Sequence, residues 1–332
     1  MGLARSLKGL TALAPNLVVR NCRLRVSQKP DGVNGHSHFA SSSFYQYGFV
    51  ISKKKALPVS QLQINQSLCK NDGICVQTCP VNVLAMAANA KGPAVIDGRG
   101  DHCVRCGHCV AVCAAQALQW DDMPRSDLTL VDPGAKVSLE QAEQWLTARR
   151  SVRTYKSTLV SKDVIERALQ SARWAPTGHN RQPVNWTVVS GFEKVSALAN
   201  AVIEWMRGAL NAGNPAAARL GFGGLVASWD KGDDQICRKA PHLVIAHAQA
   251  TEVAPAGACT IAATYLQLAA IAQGVGTCWA GYVMLAMSLE PKLVQLIDLP
   301  EGHQVFAATL LGYPKYTYYA IPDRNPLHVR WQ

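Results

Sequence analysis

The eleven residues CVRCGHCVAVC (103–113) hold four cysteines separated by two, two and three residues. Thiolates are soft ligands, and cysteines this close on one tight loop can grip three corners of a cubic iron–sulfur cluster. Zinc sites more often use two separated pairs than a run of four. Seven of the eleven cysteines (69, 75, 79, 103, 106, 109 and 113) lie within 45 residues, while Cys22, Cys237, Cys259 and Cys278 are scattered. That clustering points to metal or cluster ligation rather than a disulfide framework, and to a reducing compartment, cytoplasmic or otherwise.

An upstream run, CKNDGICVQTCP (69–80), keeps the same outline but carries Asp72 where a cysteine is expected. Cys103, Cys106 and Cys109 fit the bacterial two-cluster ferredoxin pattern, in which the fourth cysteine of each run serves the other cluster. Their cluster is then completed by Cys79, which Pro80 follows as the pattern requires, whereas Cys113 is followed by Ala114. Cys69, Cys75 and Cys113 are left with Asp72. Three readings stay open for that set: a four-iron cluster with Asp72 as a weaker oxygen ligand, a three-iron cluster with that corner vacant, or no cluster, Asp72–Gly73 merely forming a turn. The halves LCKNDGICVQTCPVNVLAM (68–86) and HCVRCGHCVAVCAAQALQW (102–120) form an internal repeat joined by the turn-rich GPAVIDGRGD (92–101). They predict a small pseudo-symmetric α+β domain over 57–124. Residues 60–120 resemble a two-cluster bacterial-type ferredoxin domain, which implies one-electron transfer at low potential.

At 332 residues the chain is long enough for two domains. No apolar run approaches the roughly 18–20 residues that cross a bilayer. The net charge of +11 gathers at the front: residues 1–55 hold nine of the 33 Lys and Arg and one of the 22 acids (Asp31), leaving 24 bases against 21 acids elsewhere. No aromatic-basic groove or reading motif accompanies that charge, which argues against a nucleic-acid partner. Within residues 1–56, MGLARSLKGLTAL puts Leu3, Leu7, Leu10 and Leu13 on one helical face, the composition of an organellar presequence. A disordered tail or a start codon placed too far upstream is the alternative, and MGLARS also fits a short myristoylation pattern. Residues 125–139 read as a linker ending at a helix N-cap, Ser138, with Gln141 three residues on.

From residue 140 the texture changes. LEQAEQWLTARR and SKDVIERALQSARWA predict amphipathic helices; VNWTVVSG, APHLVIAHA and VFAATLLGY predict strands; ACTIAATYLQLAAIAQGVG predicts a long apolar helix stopped at Gly274. RRSVRTYK (149–156) collects three arginines and a serine at a helix end, where guanidinium forks either grip a phosphate or face water. APTGHNRQP (175–183) is a turn-rich loop whose Asn and Gln both donate and accept hydrogen bonds. DQICRKAPHLVIA (234–246), GVGTCWAG (274–281), LGYP (311–314) and IPDRNP (321–326) follow. Neither GFGG nor GVGT completes a GxGxxG dinucleotide fingerprint. In order and spacing these motifs resemble the FMN-dependent nitroreductase family over nearly all of 140–332. The fold class expected is therefore α+β: a ferredoxin-like iron–sulfur domain, then a nitroreductase-like FMN-binding sandwich.

The resemblance implies an intertwined homodimer with FMN at the subunit interface. On the matching positions, it implies that Arg149, Arg150, Ser151 and Arg153 contact the flavin phosphate, ribityl chain and pyrimidine edge, with Arg324 completing the phosphate clamp. Pro176, Thr177, Gly178, Asn180 and Gln182 are then expected to reach the flavin from the partner subunit, and Trp279, Ala280 and Gly281 to lie by its reactive N5/O4 side. Thr177 stands where Ser is common in the family, and Val184 where a Trp often follows. A fixed cation such as Arg153 stabilises charge that builds on the reduced ring. The redox step belongs to the flavin, so no catalytic nucleophile is sought, and Cys278 reads as a small buried hydrophobe. The domain pairing predicts an oxidoreductase in which a donor such as ferredoxin, flavodoxin or NAD(P)H charges the clusters, the clusters reduce FMN, and FMN reduces a small electrophile such as a nitro compound or quinone. The alternatives are an ene or imine reductase or reductive dehalogenase on the same fold, and a non-catalytic redox sensor.

Overall fold

A computed structural model describes residues 61–88 and 92–332. The presequence, tail and myristoylation readings of residues 1–56 lie outside the described residues. Among the described residues no helix is long and apolar enough to cross a membrane.

The cysteine-rich segment builds two short antiparallel ladders. β1 (Leu62–Ile64) pairs with β4 (Leu118–Trp120), Leu62 opposite Trp120, and β2 (Leu84–Met86) pairs with β3 (Pro93–Val95). Two one-turn helices, α1 (Ile74–Gln77) and α2 (His108–Ala111), each follow a left-handed glycine, Gly73 (φ 71°) and Gly107 (φ 73°). The repeat is therefore structural as well as textual. At the same offset of 34 residues, Asn71 and Arg105 are both left-handed (φ 59° and 53°), as are Asn82 and Gln116 (φ 51° and 55°). The core is thin: Val83, Leu84, Val110, Ala117, Leu118 and Trp120 close around the sulfurs of Cys69, Cys75 and Cys109. A module this small, with cysteine taking up so much of its interior, belongs to the size class that needs a staple or a metal to hold its fold.

The second module opens at α3 (Leu139–Ala148). Its N-terminus carries the expected capping box: Gln141 N donates to Ser138 Oγ at 3.2 Å, and Ser138 N donates to Gln141 Oε1 at 3.0 Å. α4 (Lys162–Ala172), β5 (Asn185–Ser190), α5 (Phe192–Asn211), α6 (Pro215–Arg219), α7 (Phe222–Asp230) and β6 (His242–Gln249) follow. They are succeeded by α8 (Pro255–Ile271), β7 (Gly276–Trp279), α9 (Gly281–Leu289), α10 (Pro291–Gln295) and β8 (His303–Gly312). The four strands form one antiparallel sheet in the order β5-β6-β8-β7.

Period-two alternation divides this sheet between two helical layers. Leu243, Ile245, Ala308 and Leu310 face α5, α7 and α9, meeting Val202, Ile203, Met206, Leu225 and Val283. Val244 and Leu311 face the other way, onto Ile165 and Ala168 of α4 and Leu266 and Ala270 of α8. Buried on both faces, β6 has seven of its eight residues buried: five apolar ones and the two histidines, His242 and His247. The helices and strands expected from the six quoted segments are present as α3, α4, β5, β6, α8 and β8, and Gly274 (φ 71°) follows the end of α8. The 20-residue α5 and the short β7 come in addition. Both modules belong to one compact unit.

Candidate functional site

The cysteines surround two cavities. One is lined by Cys79, Cys103, Cys106 and Cys109, the other by Cys69, Asp72, Cys75 and Cys113. Each cavity thus takes three residues from one run and the fourth from the other. Backbone N–H groups point at the sulfurs in a pattern that follows the repeat: Val83 N to Cys79 Sγ at 3.4 Å and Ala117 N to Cys113 Sγ at 3.3 Å. Asn71 N reaches Cys69 Sγ at 3.4 Å, and Trp120 Nε1 reaches Cys109 Sγ at 3.4 Å. Burial pushes the Cys75 and Cys109 thiols above the usual thiol range, so a cation is needed to hold them as thiolates. Among the described residues no three such side chains stand close enough to share a single metal ion. Asp72 Oδ1 accepts from Ile74 N at 3.1 Å while the carboxylate lines its cavity.

The arginine series forms a second group. α3 ends at Ala148, Arg149 turns extended (ψ 128°), and Ser151 makes a parallel bridge to Thr277 of β7. Val152 N donates to Thr277 O at 2.9 Å, and Gly276 lets the segment approach this closely. Arg149 Nη1 and Arg150 Nε are buried with no hydrogen-bond partner, as is Thr277 Oγ1 nearby. Arg150 Nη2 donates to Thr147 O, and Arg153, exposed, reaches Ser151 O at 3.4 Å. Trp279 is half-buried, Ala280 is buried with its N–H on Ala308 O at 2.9 Å, and Gly281 is exposed. Arg149, Arg150, Ser151, Trp279, Ala280 and Gly281 are thus brought onto one sheet edge. Arg324 is not: it lies exposed in the stretch after Pro314, its N–H on Asp323 Oδ1.

The loop 176–182 precedes β5, at the opposite edge of the sheet. His179, Asn180 and Gln182 are all left-handed (φ 50°, 52° and 47°), a conformation that costs non-glycine residues free energy unless the surroundings impose it. Gln182 N donates to Thr177 Oγ1 at 3.0 Å, Arg181 Nε to Glu252 Oε2 at 3.3 Å, and a Cβ on Gly178 would meet Val253 at 3.3 Å. Asn180 Nδ2 donates to the carbonyls of Arg105 at 2.9 Å and Val104 at 3.3 Å. Pro176 is exposed and Thr177 half-buried. Sequence reasoning passed over Thr277, Glu252 and the paired carbonyls of 104–105. Only the glycine spacing of GVGTCWAG hinted that a backbone would press close to β7.

Over residues 146–313, just over half of the chain, the sequence matches the family model for the nitroreductase family. The chain belongs to the nitroreductase family. This nitroreductase-family protein is an FMN-dependent oxidoreductase of α+β fold, and residues 61–117 match a second family model, the 4Fe-4S dicluster domain. It is similar to a protein of Archaeoglobus fulgidus named "Putative NADH dehydrogenase/NAD(P)H nitroreductase", 27% identical over 195 residues covering 57% of this chain and 95% of that protein. Among solved structures it is similar to a nitroreductase with bound FMN from Bacteroides fragilis (21% identity, 57% of this chain, 95% of that one, TM-score 0.45). Another with bound FMN, from Desulfitobacterium hafniense, gives 21% identity, 57% and 97% coverage and a TM-score of 0.46.

Proposed function

We propose that this nitroreductase-family chain is an iron–sulfur flavoprotein reductase, with clusters in the two cysteine-lined cavities and FMN phosphate at Arg149 and Arg150. An external donor such as ferredoxin, flavodoxin or NAD(P)H supplies the electrons, and a small electrophile such as a nitro compound or quinone receives them. When bound, the clusters supply single-electron transfer and the flavin supplies hydride chemistry.

The observation that carries this reading is the pair of buried, unpartnered guanidinium nitrogens, Arg149 Nη1 and Arg150 Nε. A buried donor left unpaired costs about 1–3 kcal/mol, more when it is charged, and a bound phosphate removes that cost with the geometry a guanidinium fork favours. Pinning of Ser151 to Thr277 fixes where those forks point. Arg153, exposed beside them, is placed to hold negative charge on a bound ring. Asp72 keeps one carboxylate oxygen on Ile74 N, and the residue lines a cavity with Cys69, Cys75 and Cys113. That shared lining favours an oxygen-ligated or open iron corner over a plain turn.

A homodimer is part of the reading. Leu139, Trp145 and Leu146 of α3 and Ile261 and Tyr265 of α8 are exposed, as are Tyr319, Leu327 and Trp331 after β8. Apolar groups in such numbers call for a covering partner. Anaerobic purification with iron, sulfide and flavin counted per chain, together with sedimentation, tests the proposal. The expected sample is a coloured dimer carrying both cofactor types and reducing nitroaromatics or quinones. A colourless chain overturns the proposal, and a coloured chain without turnover leaves only a sensor.

A further inference from the structure

We propose that the cluster module of one protomer serves the arginine corner of its partner, and that Asn180 is the positioning residue that seats the module for this. The inference deepens the reading above and rests on its clusters, flavin and homodimer.

Asn180 joins the two modules through its side chain. Its two acceptors, the carbonyls of Val104 and Arg105, are on the loop between Cys103 and Cys106, and both residues line the all-cysteine cavity. Two carbonyls need two N–H groups, so the amide nitrogen, not the oxygen, must face them. Neither Val104 nor Arg105 lines the Asp72 cavity. The all-cysteine site is therefore the one held against the loop 176–182. Arg181 Nε on Glu252 Oε2 holds the same loop, in which His179, Asn180 and Gln182 are left-handed.

That loop and the arginines of its own chain stand at opposite corners of the sheet. From Ser151 the ladder steps to Thr277, Leu311, His242 and Ser190, and β5 then runs back from Ser190 to Asn185 before the loop is reached. Four steps of about 4.8 Å across and five residues of about 3.3 Å along make a diagonal of about 25 Å. A cluster module latched at the β5 corner is thus remote from its own arginines, and in a two-fold dimer the corner it can serve is the partner's. Delivery is two single electrons in succession, matched by two protons from solvent, with an external one-electron donor oxidised twice for each flavin fully reduced.

Mixed dimers decide between the two pairings. One protomer carries Cys106→Ala, the other Arg149→Ala with Arg150→Ala, and differently tagged chains are co-purified. Across protomers, the intact arginines of the first meet the intact clusters of the second, so one of the two sites works. Reduced ferredoxin, supplied as the one-electron donor, should then bleach flavin at about half the wild-type amplitude. Within protomers neither site is complete, and bleaching no greater than in the parent homodimers overturns the proposal. Should Cys106→Ala fail to fold, Cys106→Ser takes its place in the mixed dimer. Asn180→Gly tests the positioning role separately, because glycine keeps the left-handed backbone while the side chain that carries the two donors is lost. In full-length Asn180→Gly, hydrogen exchange of the 103–107 loop should rise about tenfold, equivalent to about 1.4 kcal/mol, while β6 stays protected. Unchanged exchange there removes Asn180 from its positioning role. A wild-type chain that is monomeric or lacks either chromophore fails earlier, and takes the reading and the pairing down together.

Discussion

Replacing Gly276 with alanine tests how the arginine corner is built. An ideal Cβ at that position falls 2.6 Å from Val152 Cγ2 and 2.9 Å from both Val152 Cβ and Pro314 Cγ. Carbon atoms need about 3.5 Å, so the 151–153 segment must retreat by roughly 1 Å. Val152 is 6% exposed and its N–H is bonded to Thr277 O at 2.9 Å, so the retreat also stretches a buried hydrogen bond. Overpacking costs about 1–3 kcal/mol, and weakening that bond adds about 1 kcal/mol. For a domain of this size the sum lowers Tm by roughly 5–15 °C. The same shift moves Ser151 and its neighbouring arginines off their bridge, so flavin retained through desalting should fall with Tm. Val152→Ala removes the nearest methyl, and the double variant should cost less than the two single changes summed, with a coupling of about 1 kcal/mol. Gly276→Ala with wild-type Tm and full flavin content would refute the argument, because the close approach would then constrain nothing.

Asp234 is buried and accepts from Ile236 N at 2.9 Å, Cys237 N at 2.8 Å and Lys239 N at 2.8 Å. Asp234→Ala strands these donors and should cost about 3 kcal/mol or more in a urea unfolding curve. Asp72→Cys supplies the missing thiolate, so iron retained per chain after air exposure should exceed the wild-type value; equal retention would argue against Asp72 facing a cluster. Burial holds His242 and His247 below the usual imidazole range, with His303, 2.9 Å from His247, adding to the effect on the latter. The unfolded chain then binds more protons below about pH 6.5, so stability falls as pH drops through the depressed folded values and levels off beneath them. Urea midpoints between pH 8 and 5 check this, and His247→Gln should flatten the slope.

The cysteine positions, the repeat and the capping box were legible because each is a local spacing rule. So were β6 and α8, long apolar runs that differ in length and punctuation. β7 was not: four residues in a glycine turn carry too little pattern, and what makes them a strand is pairing with residues of β8 that lie 30 to 36 positions on. α5 was written in Val195, Leu198, Val202 and Met206 at helical spacing, with no family motif to draw attention to it. Among the site residues, a run of arginines is visible in one dimension, but the burial that leaves Arg149 Nη1 and Arg150 Nε unpaired is not. Asn180 is the sharpest case. Its residue type suggested a ligand contact, and the carbonyls it meets lie 75 and 76 residues away in a loop whose own signal was entirely about sulfur.

The two halves of the cysteine module share a backbone and differ where their surroundings differ. At the first left-handed corner the side chain of Asn71 stays within the module: its Oδ1 accepts from Gly92 N at 3.0 Å. At the equivalent corner Arg105 sends its guanidinium to Asp122, and its carbonyl accepts from Asn180. The first corner is tied within its own module, and the second is tied both within it and, through Asn180, to the neighbouring one. On the proposed reading the ligand sets divide the same way: the first half carries Asp72, a carboxylate that would grip iron less firmly than a thiolate, and the docked half carries cysteine at the matching position, Cys106. On that reading a labile corner is tolerable at the site whose lining Asn180 does not hold. On the docked side, loss of an iron ligand would loosen the loop whose carbonyls Asn180 holds, and with it the strained turn 179–182. The all-thiolate set therefore stands where cluster integrity and loop geometry depend on each other, and the carboxylate stands where they do not.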